Sequence, residues 1–277
     1  MNIRNLSQGE IKRLLAASRV PQALVDACAA DPRAGVRGLV EARDKRLAER
    51  ARESRRLTRL YACEMAVVRE HGLLVGGVDE VGRGPLAGPV VAACVVLPPR
   101  PRLAGLDDSK LVPAPQRAVL EGEIRTIALG IGVGVVEPDE IDAINIYQAS
   151  LKAMTIAVAA CSPSPPAYLL LDAVRLKNVD LPQEPIIGGD GKCACIAAAS
   201  IIAKQIRDRL MAELDAVHPG YEFSVHKGYG TPLHLERLSK LGPSPIHRRS
   251  FAPVREWRSL GSLRAAAEQE ASDAPGE

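Results

Sequence analysis

The chain has 277 residues, enough to bury the core of one large domain with an extension beside it. With 47% hydrophobic and 25% charged residues it is neither disordered nor fibrous, and a net charge of +3 permits a nucleic-acid partner without arguing for one. The apolar run over 193–199 falls far short of a membrane span, and the N-terminus lacks the apolar core of a signal peptide, so no membrane partner and a cytoplasmic location are expected.

Along the chain, Ser7 with Glu10 three residues later reads as a capping box opening a helix over 11–18. Asp31 followed by Pro32 fits an N-cap with proline at the first helical position, and Gly72 fits a helix stop. Between Glu41 and Leu60 lie eight Lys or Arg residues against four acids, read here as a solvated helix face rather than a phosphate contact. With no alternating strand pattern, residues 1–70 are expected to form an N-terminal helical extension.

From Leu73 onward, short apolar runs at 73–78, 90–97, 131–136 and 168–171 read as buried strands, most of them bounded by Gly or Pro. Helical patterns over 115–129, 138–160 and 194–217 intervene, which predicts an α/β domain over 71–262 with a central sheet covered on both faces. The first two strands have only a glycine-rich turn between them, so they form a hairpin and the sheet is mixed. The last fifteen residues, 263–277, carry four acids and nothing to bury, and read as a flexible tail. Six scattered cysteines without zinc-ligand spacing read as reduced thiols used as small hydrophobes.

The most informative stretch is 77–90, where Asp79 and Glu80 end an apolar run and Gly82, Arg83 and Gly84 follow. Carboxylates hold hard divalent cations through oxygen, and glycines flanking an arginine let backbone and side chain approach a ligand. Neighbours on a strand point to opposite faces, so both acids reach one site only if the strand ends there; a solvated acidic turn explains the pair alone equally well. Asp172 closes the apolar run before it, and Asp190 sits between Gly189 and Gly191 just ahead of a long helix. Strand-end carboxylates can converge on one sheet edge, though Asp190 could instead cap the helix. Downstream, His226, Lys227, Tyr229 and Thr231 stand on a glycine-loosened loop suited to stacking or phosphate contact, or to a plain surface turn. Asp108-Ser109-Lys110 is a weaker signal. Lys204, Arg207 and Arg209 lie on a helix with an alanine-rich face, and His247-Arg248-Arg249 could face phosphates or solvent.

Taken in order, these segments closely resemble bacterial ribonuclease HII, the type 2 ribonuclease H. The matching residues are 79–90, Asp108-Ser109-Lys110, Leu171-Asp172-Ala173, Gly189-Asp190, 196–204 with Arg207-Asp208-Arg209, 226–231, His247-Arg248 and 251–254. The N-terminal extension with Asp31-Pro32-Arg33 is similar to that of one branch of the family. The resemblance implies a ribonuclease H-like fold with a helical C-terminal part. It also implies a metal site of Asp79, Glu80, Asp172 and Asp190 holding Mn²⁺ or Mg²⁺, two ions together. By the same resemblance Gly82, Arg83 and Gly84 sense the ribonucleotide 2′-hydroxyl, Tyr229 recognises the RNA–DNA junction, and Lys110 and Lys204 contact substrate. The implied partner is an RNA–DNA hybrid or DNA containing ribonucleotides, bound by a monomer. Leu111 and Gly188 stand where the family usually has lysine, which bears on substrate affinity rather than on the reaction. A ribonuclease HIII-like enzyme is the nearer rival; it typically has Gly-Lys-Gly in the loop and strands in its N-terminal domain. A non-catalytic nucleic-acid-binding module is the other.

Overall fold

The structure, a computed structural model, describes residues 3–99 and 103–257; the tail expected over 263–277 lies outside the described residues. Two compact units divide the chain, one running through Thr58 and the other from Arg59.

In the first unit, a 3₁₀ turn (Ile3–Asn5) precedes α1 (Gln8–Leu15), which opens on the expected capping box between Ser7 and Glu10. It stops at Leu15, short of the predicted 18, ahead of Ser18, Val20 and Pro21, which favour non-helical backbone. After α2 (Gln22–Ala29), α3 (Ala34–Leu60) starts two residues later than the Asp31–Pro32 pair suggests. The Asp31 carboxylate is taken by Arg33, whose backbone N–H, Nε and Nη2 all donate to it. Arg33 also donates to the carbonyls of Leu6 and Ile3, closing the chain over a core of Ile11, Leu15, Val25, Cys28, Val36 and Val40.

The second unit begins with α4 (Ala62–His71), stopped as expected by Gly72 in the left-handed conformation, φ 66°. Then come β1 (Val75–Val81), β2 (Val90–Val96), α5 (Ala114–Ile127), β3 (Gly130–Val136), α6 (Pro138–Ile144), α7 (Ile146–Ala159), β4 (Ser162–Pro163), β5 (Tyr168–Asp172) and β6 (Gln183–Ile186). A second 3₁₀ turn (Gly189–Gly191) leads into α8 (Ala194–Val217), followed by α9 (Phe223–His226) and α10 (Pro232–Leu241). The six strands run in the order β4-β3-β2-β1-β5-β6; β1 pairs antiparallel with β2 and parallel with β5, so the sheet is mixed and the hairpin is present. The helix predicted over 138–160 is broken at Asn145, whose side chain accepts the Tyr147 and Gln148 N–H groups and caps α7. The edge strands β4 and β6 each contain a proline, which hides them from a strand pattern.

Period-two alternation sorts the sheet's faces. Val78, Val90, Ala92, Cys94, Val96, Leu169 and Leu171 pack with Ala149, Ala153, Met154 and Ala157 of α7. On the other face Leu170 packs with Cys195 and Ile196 of α8. A Cβ at Gly77 would overlap the α8 backbone at Cys195, so glycine is what lets this alanine-rich helix lie flat on β1. Overpacking at such a contact typically costs about 1–3 kcal/mol. Among the described residues, no helix is long and apolar enough to cross a membrane.

Candidate active site

Strand β1 does not end at Asp79 and Glu80, contrary to the condition set from sequence; it continues to Val81. The two acids therefore take opposite faces, Asp79 that of α8 and Glu80 that of α7. A neighbouring strand supplies the link. Val78 pairs with Leu171 in the parallel β1–β5 ladder, so the next residues, Asp79 and Asp172, stand side by side on the α8 face. Asp172 Oδ1 accepts the Gly189 N–H at 2.8 Å, which draws the 3₁₀ turn carrying Asp190 to the same edge.

The acids sense one another. Asp79 is 5% exposed, and burial first, then Glu80, with Asp172 and Asp190 adding, pushes its pKa well above the usual carboxylate range. The Glu80 N–H donates to Asp79 Oδ1 at 2.8 Å, and nearby Ser200, which opposes the rise, has its hydroxyl 2.8 Å from that of buried Ser109. Burial also raises Glu80, against the pull of Arg83, whose Nη1 lies 3.3 Å from Glu80 Oε1. Asp190 is raised by burial and by Asp108, with Lys110 opposing from 3.4 Å. Among the described residues no three His, Cys, Asp or Glu side chains already stand in coordinating geometry. The chemistry of the donor set nevertheless fits a hard divalent cation: four oxygen-bearing acids, buried or half-buried, share one edge and repel each other. Asp190 does not cap α8, whose N-cap Cys193 offers no side-chain bond. Its own Oδ1 instead accepts the Gly191 N–H.

Beside this edge the turn after β1 carries the two glycines for different reasons. Gly82 has φ 95° and a Cβ there would overlap Arg207, so the fold requires glycine. Gly84 has nothing within 4 Å of an added Cβ and no left-handed φ, so the fold does not. Arg83 and Gly84 are exposed. Tyr229 is 39% exposed, on a loop that turns through left-handed Lys227 and Gly228, with the Arg207 guanidinium 5.7 Å from its ring centre. Lys204 lies 6.0 Å from the same ring and is paired with Asp208 at 2.6 Å. Lys110 reaches Asp190 and Asp108.

Other sequence expectations are redirected. His226 is buried in α9 and bonds the Tyr221 carbonyl, and the Thr231 hydroxyl caps α10, so neither lies open on the loop. Arg248 faces neither phosphate nor solvent, being 0% exposed, as is Arg207. Leu111 is 72% exposed, and Gly188 is left-handed, φ 64°. Three contributions were missed from sequence. Asp108 was seen only as part of a weak motif, yet its charge reaches Asp190. The complete burial of Arg207 and Arg248 has no signature in the sequence. Glu64 carried no signal at all: it comes from α4 to accept the Cys195 N–H at 2.8 Å and caps α8 across the fold.

Residues 76–254 match the Ribonuclease HII family and residues 9–67 match the Ribonuclease HII N-terminal domain. The chain belongs to the ribonuclease HII family. It is accordingly a ribonuclease H enzyme with a ribonuclease H-like fold. The N-terminal match agrees with a helical first unit and sets the HIII-like rival aside. Ribonuclease HII of Rhizorhabdus wittichii is 54% identical over 187 residues, covering 68% of this chain and 92% of the relative. That of Myxococcus xanthus is 46% identical over 256 residues, 92% of this chain and 87% of its own length. The crystal structure of ribonuclease H2 from Pyrococcus horikoshii superposes with a TM-score of 0.56 at 27% identity, over 67% of this chain and 97% of that one.

Proposed function

We propose that the enzyme hydrolyses the RNA strand of RNA–DNA hybrids and cuts on the 5′ side of single ribonucleotides embedded in duplex DNA. The observation that carries this is the edge where β1, β5 and the 189–191 turn bring Asp79, Asp172 and Asp190 together, with Glu80 within reach of their charge, beside the exposed Arg83–Gly84 turn. Asp79, Glu80, Asp172 and Asp190 would hold the divalent cations, Mg²⁺ or Mn²⁺ as a pair. Bound there, the ions supply positive charge at the attacked phosphate and the leaving 3′-oxygen.

The chain's own residues do the rest. Gly189 holds the Asp172 carboxylate by its N–H, and the Glu80 N–H holds that of Asp79, so two acids are fixed before substrate arrives. Arg83, with its side chain 46% exposed, and the open backbone at Gly84 face the sugar, where the 2′-hydroxyl alone distinguishes RNA from DNA. Tyr229 offers a ring face at the junction. Lys110 and Lys204 add charge toward phosphate. The non-catalytic alternative is disfavoured because clustered acids repel a polyanion unless cations intervene. The products are a 5′-phosphate on the ribonucleotide and a 3′-hydroxyl upstream.

A duplex with one embedded ribonucleotide, incubated with Mg²⁺, with Mn²⁺ and with chelator, tests this. Cleavage 5′ to the ribonucleotide that disappears in chelator is expected; cutting only continuous RNA tracts would overturn the single-ribonucleotide reading.

A further inference from the structure

Arg207 and Arg248 present an arrangement that the reaction described above does not use. Both side chains are completely buried, and among the described residues neither forms an ion pair with a carboxylate. Arg248 donates from Nη2 to the Gly82 carbonyl at 2.6 Å, from Nη1 to Arg83 at 3.0 Å, and from Nε and Nη2 to Gly88 at 3.0 and 2.8 Å. Its guanidinium rests 5.0 Å from the Phe251 ring centre. Arg207 donates to the carbonyls of Pro89 at 2.9 Å, Ala87 at 3.2 Å and Lys227 at 3.0 Å. One arginine therefore grips the turn from within, and the other ties that turn to the loop bearing Tyr229.

Backbone stitches complete the unit: Leu86 N–H to Gly228 O, Arg248 N–H to Leu86 O, and Gly88 N–H to Ile246 O. The segment holding Arg248 is itself pinned, because Asp142 accepts the N–H groups of Arg249 and Ser250. Desolvating a cation is costly unless its donors are all used. Burial and the neighbouring Arg207 lower Arg248 to about 9, so it is still charged at neutral pH.

The consequence follows from peptide geometry. The bonds from Gly82 to Arg83 and from Arg83 to Gly84 are trans, and in a trans peptide the N–H points opposite to the C=O. With the Gly82 and Arg83 carbonyls drawn inward, the N–H groups of Arg83 and Gly84 are aimed outward, where both residues are exposed. Successive outward N–H groups form a concavity for an oxygen ligand. We infer that Arg248 and Arg207 are positioning residues that hold the sugar-reading turn and the Tyr229 loop in one register, presenting the Arg83 and Gly84 N–H groups to the ribonucleotide. This rests on the functional reading above and adds its specificity mechanism. Lysine keeps the charge but lacks the planar fork that spans several carbonyls.

The test compares wild type with Arg248→Lys, and with the milder surface variant Asp142→Ala should the first fail to fold. Steady-state kinetics are measured on a duplex with one ribonucleotide and on a continuous hybrid, beside thermal unfolding. For Arg248→Lys, kcat on the single-ribonucleotide duplex should fall on the order of thirtyfold through misplacement of the sugar, with KM changing less than about threefold. The continuous hybrid, which offers a ribose in every register, should lose several-fold less. Asp142→Ala should shift the same ratio in the same direction by a smaller factor. Equal losses on both substrates, or a drop in melting temperature with kcat per folded molecule unchanged, would overturn the inference. Wild type failing to cut the single-ribonucleotide duplex would overturn the functional reading instead; amide resonances of Arg83 and Gly84, expected to move in Arg248→Lys, then decide the positioning role alone.

Discussion

At the end of β1 the carboxylates of Asp79 and Glu80 are buried against other acids, whereas just beyond it the turn over 82–89 closes around the guanidiniums of Arg207 and Arg248. Both regions hold charge away from water, and they resolve it in opposite ways. The arginines use backbone carbonyls as partners and stay cationic, so the turn they grip is complete as it stands. The acids have donors too, the N–H groups of Glu80, Gly189 and Gly191 and the side chains of Arg83 and Lys110, yet burial and one another's charge still raise Asp79, Glu80 and Asp190. Their mutual repulsion is left for a cation to relieve. One region is a finished support and the other is a site whose electrostatics call for a ligand.

Replacing Asp172 by Asn tests the acidic half most severely. Asn retains an oxygen for the Gly189 N–H but removes one of the charges that would hold cations. Several kcal/mol of transition-state stabilisation should go, so turnover on a hybrid in Mg²⁺ falls on the order of a thousandfold. Stability should hold or rise, because one repelling charge has left the edge. Near wild-type turnover in single-turnover kinetics would remove Asp172 from the metal site.

Glu64 sharpens the comparison, as a buried acid that does have donors. It accepts the Cys195 N–H at the start of α8, yet burial still raises it from 4.5 to about 7. The folded state thus keeps a proton between pH 4.5 and 7 that the unfolded chain has already lost, and stability falls as pH rises through that window. Glu64→Gln keeps an acceptor and does not titrate. Relative to wild type it should gain up to about 3 kcal/mol between pH 4.5 and 8. Urea unfolding at both pH values reads this; parallel pH slopes for the two proteins would rule it out.

Much of the scaffold was legible in the sequence because it rests on local periodicity. The bounds of α8, the hairpin, the Ser7–Glu10 box and the Gly72 stop all follow from patterns within a few residues. What escaped is long-range. The break at Asn145 depends on a single residue adopting φ 68° inside an otherwise continuous helical pattern. Arg207 and Arg248 look like surface charges until residues 118 to 166 positions away offer them carbonyls. The acids were found through their strand-end and glycine context, but how Asp79 and Asp172 meet is set by the β1–β5 register, which no local window contains.

A pair of alanine substitutions in the turn separates support from ligand site with the smallest change. At Gly82 the left-handed backbone and the Arg207 side chain leave no room, so Gly82→Ala should destabilise by about 1–3 kcal/mol and loosen the turn. At Gly84 an added methyl meets nothing, and Gly→Ala at a compatible backbone stabilises by about 0.4–1 kcal/mol through the unfolded chain. Any loss of activity in Gly84→Ala must then come from what approaches from outside. Cleavage at a single embedded ribonucleotide should fall on the order of tenfold, about the worth of one hydrogen bond to the sugar, while the melting temperature stays level or rises. A Gly84→Ala enzyme that is more stable and equally active would show that the exposed face of this turn does not touch substrate, leaving Arg83 and Tyr229 as the sugar's only readers in this proposal.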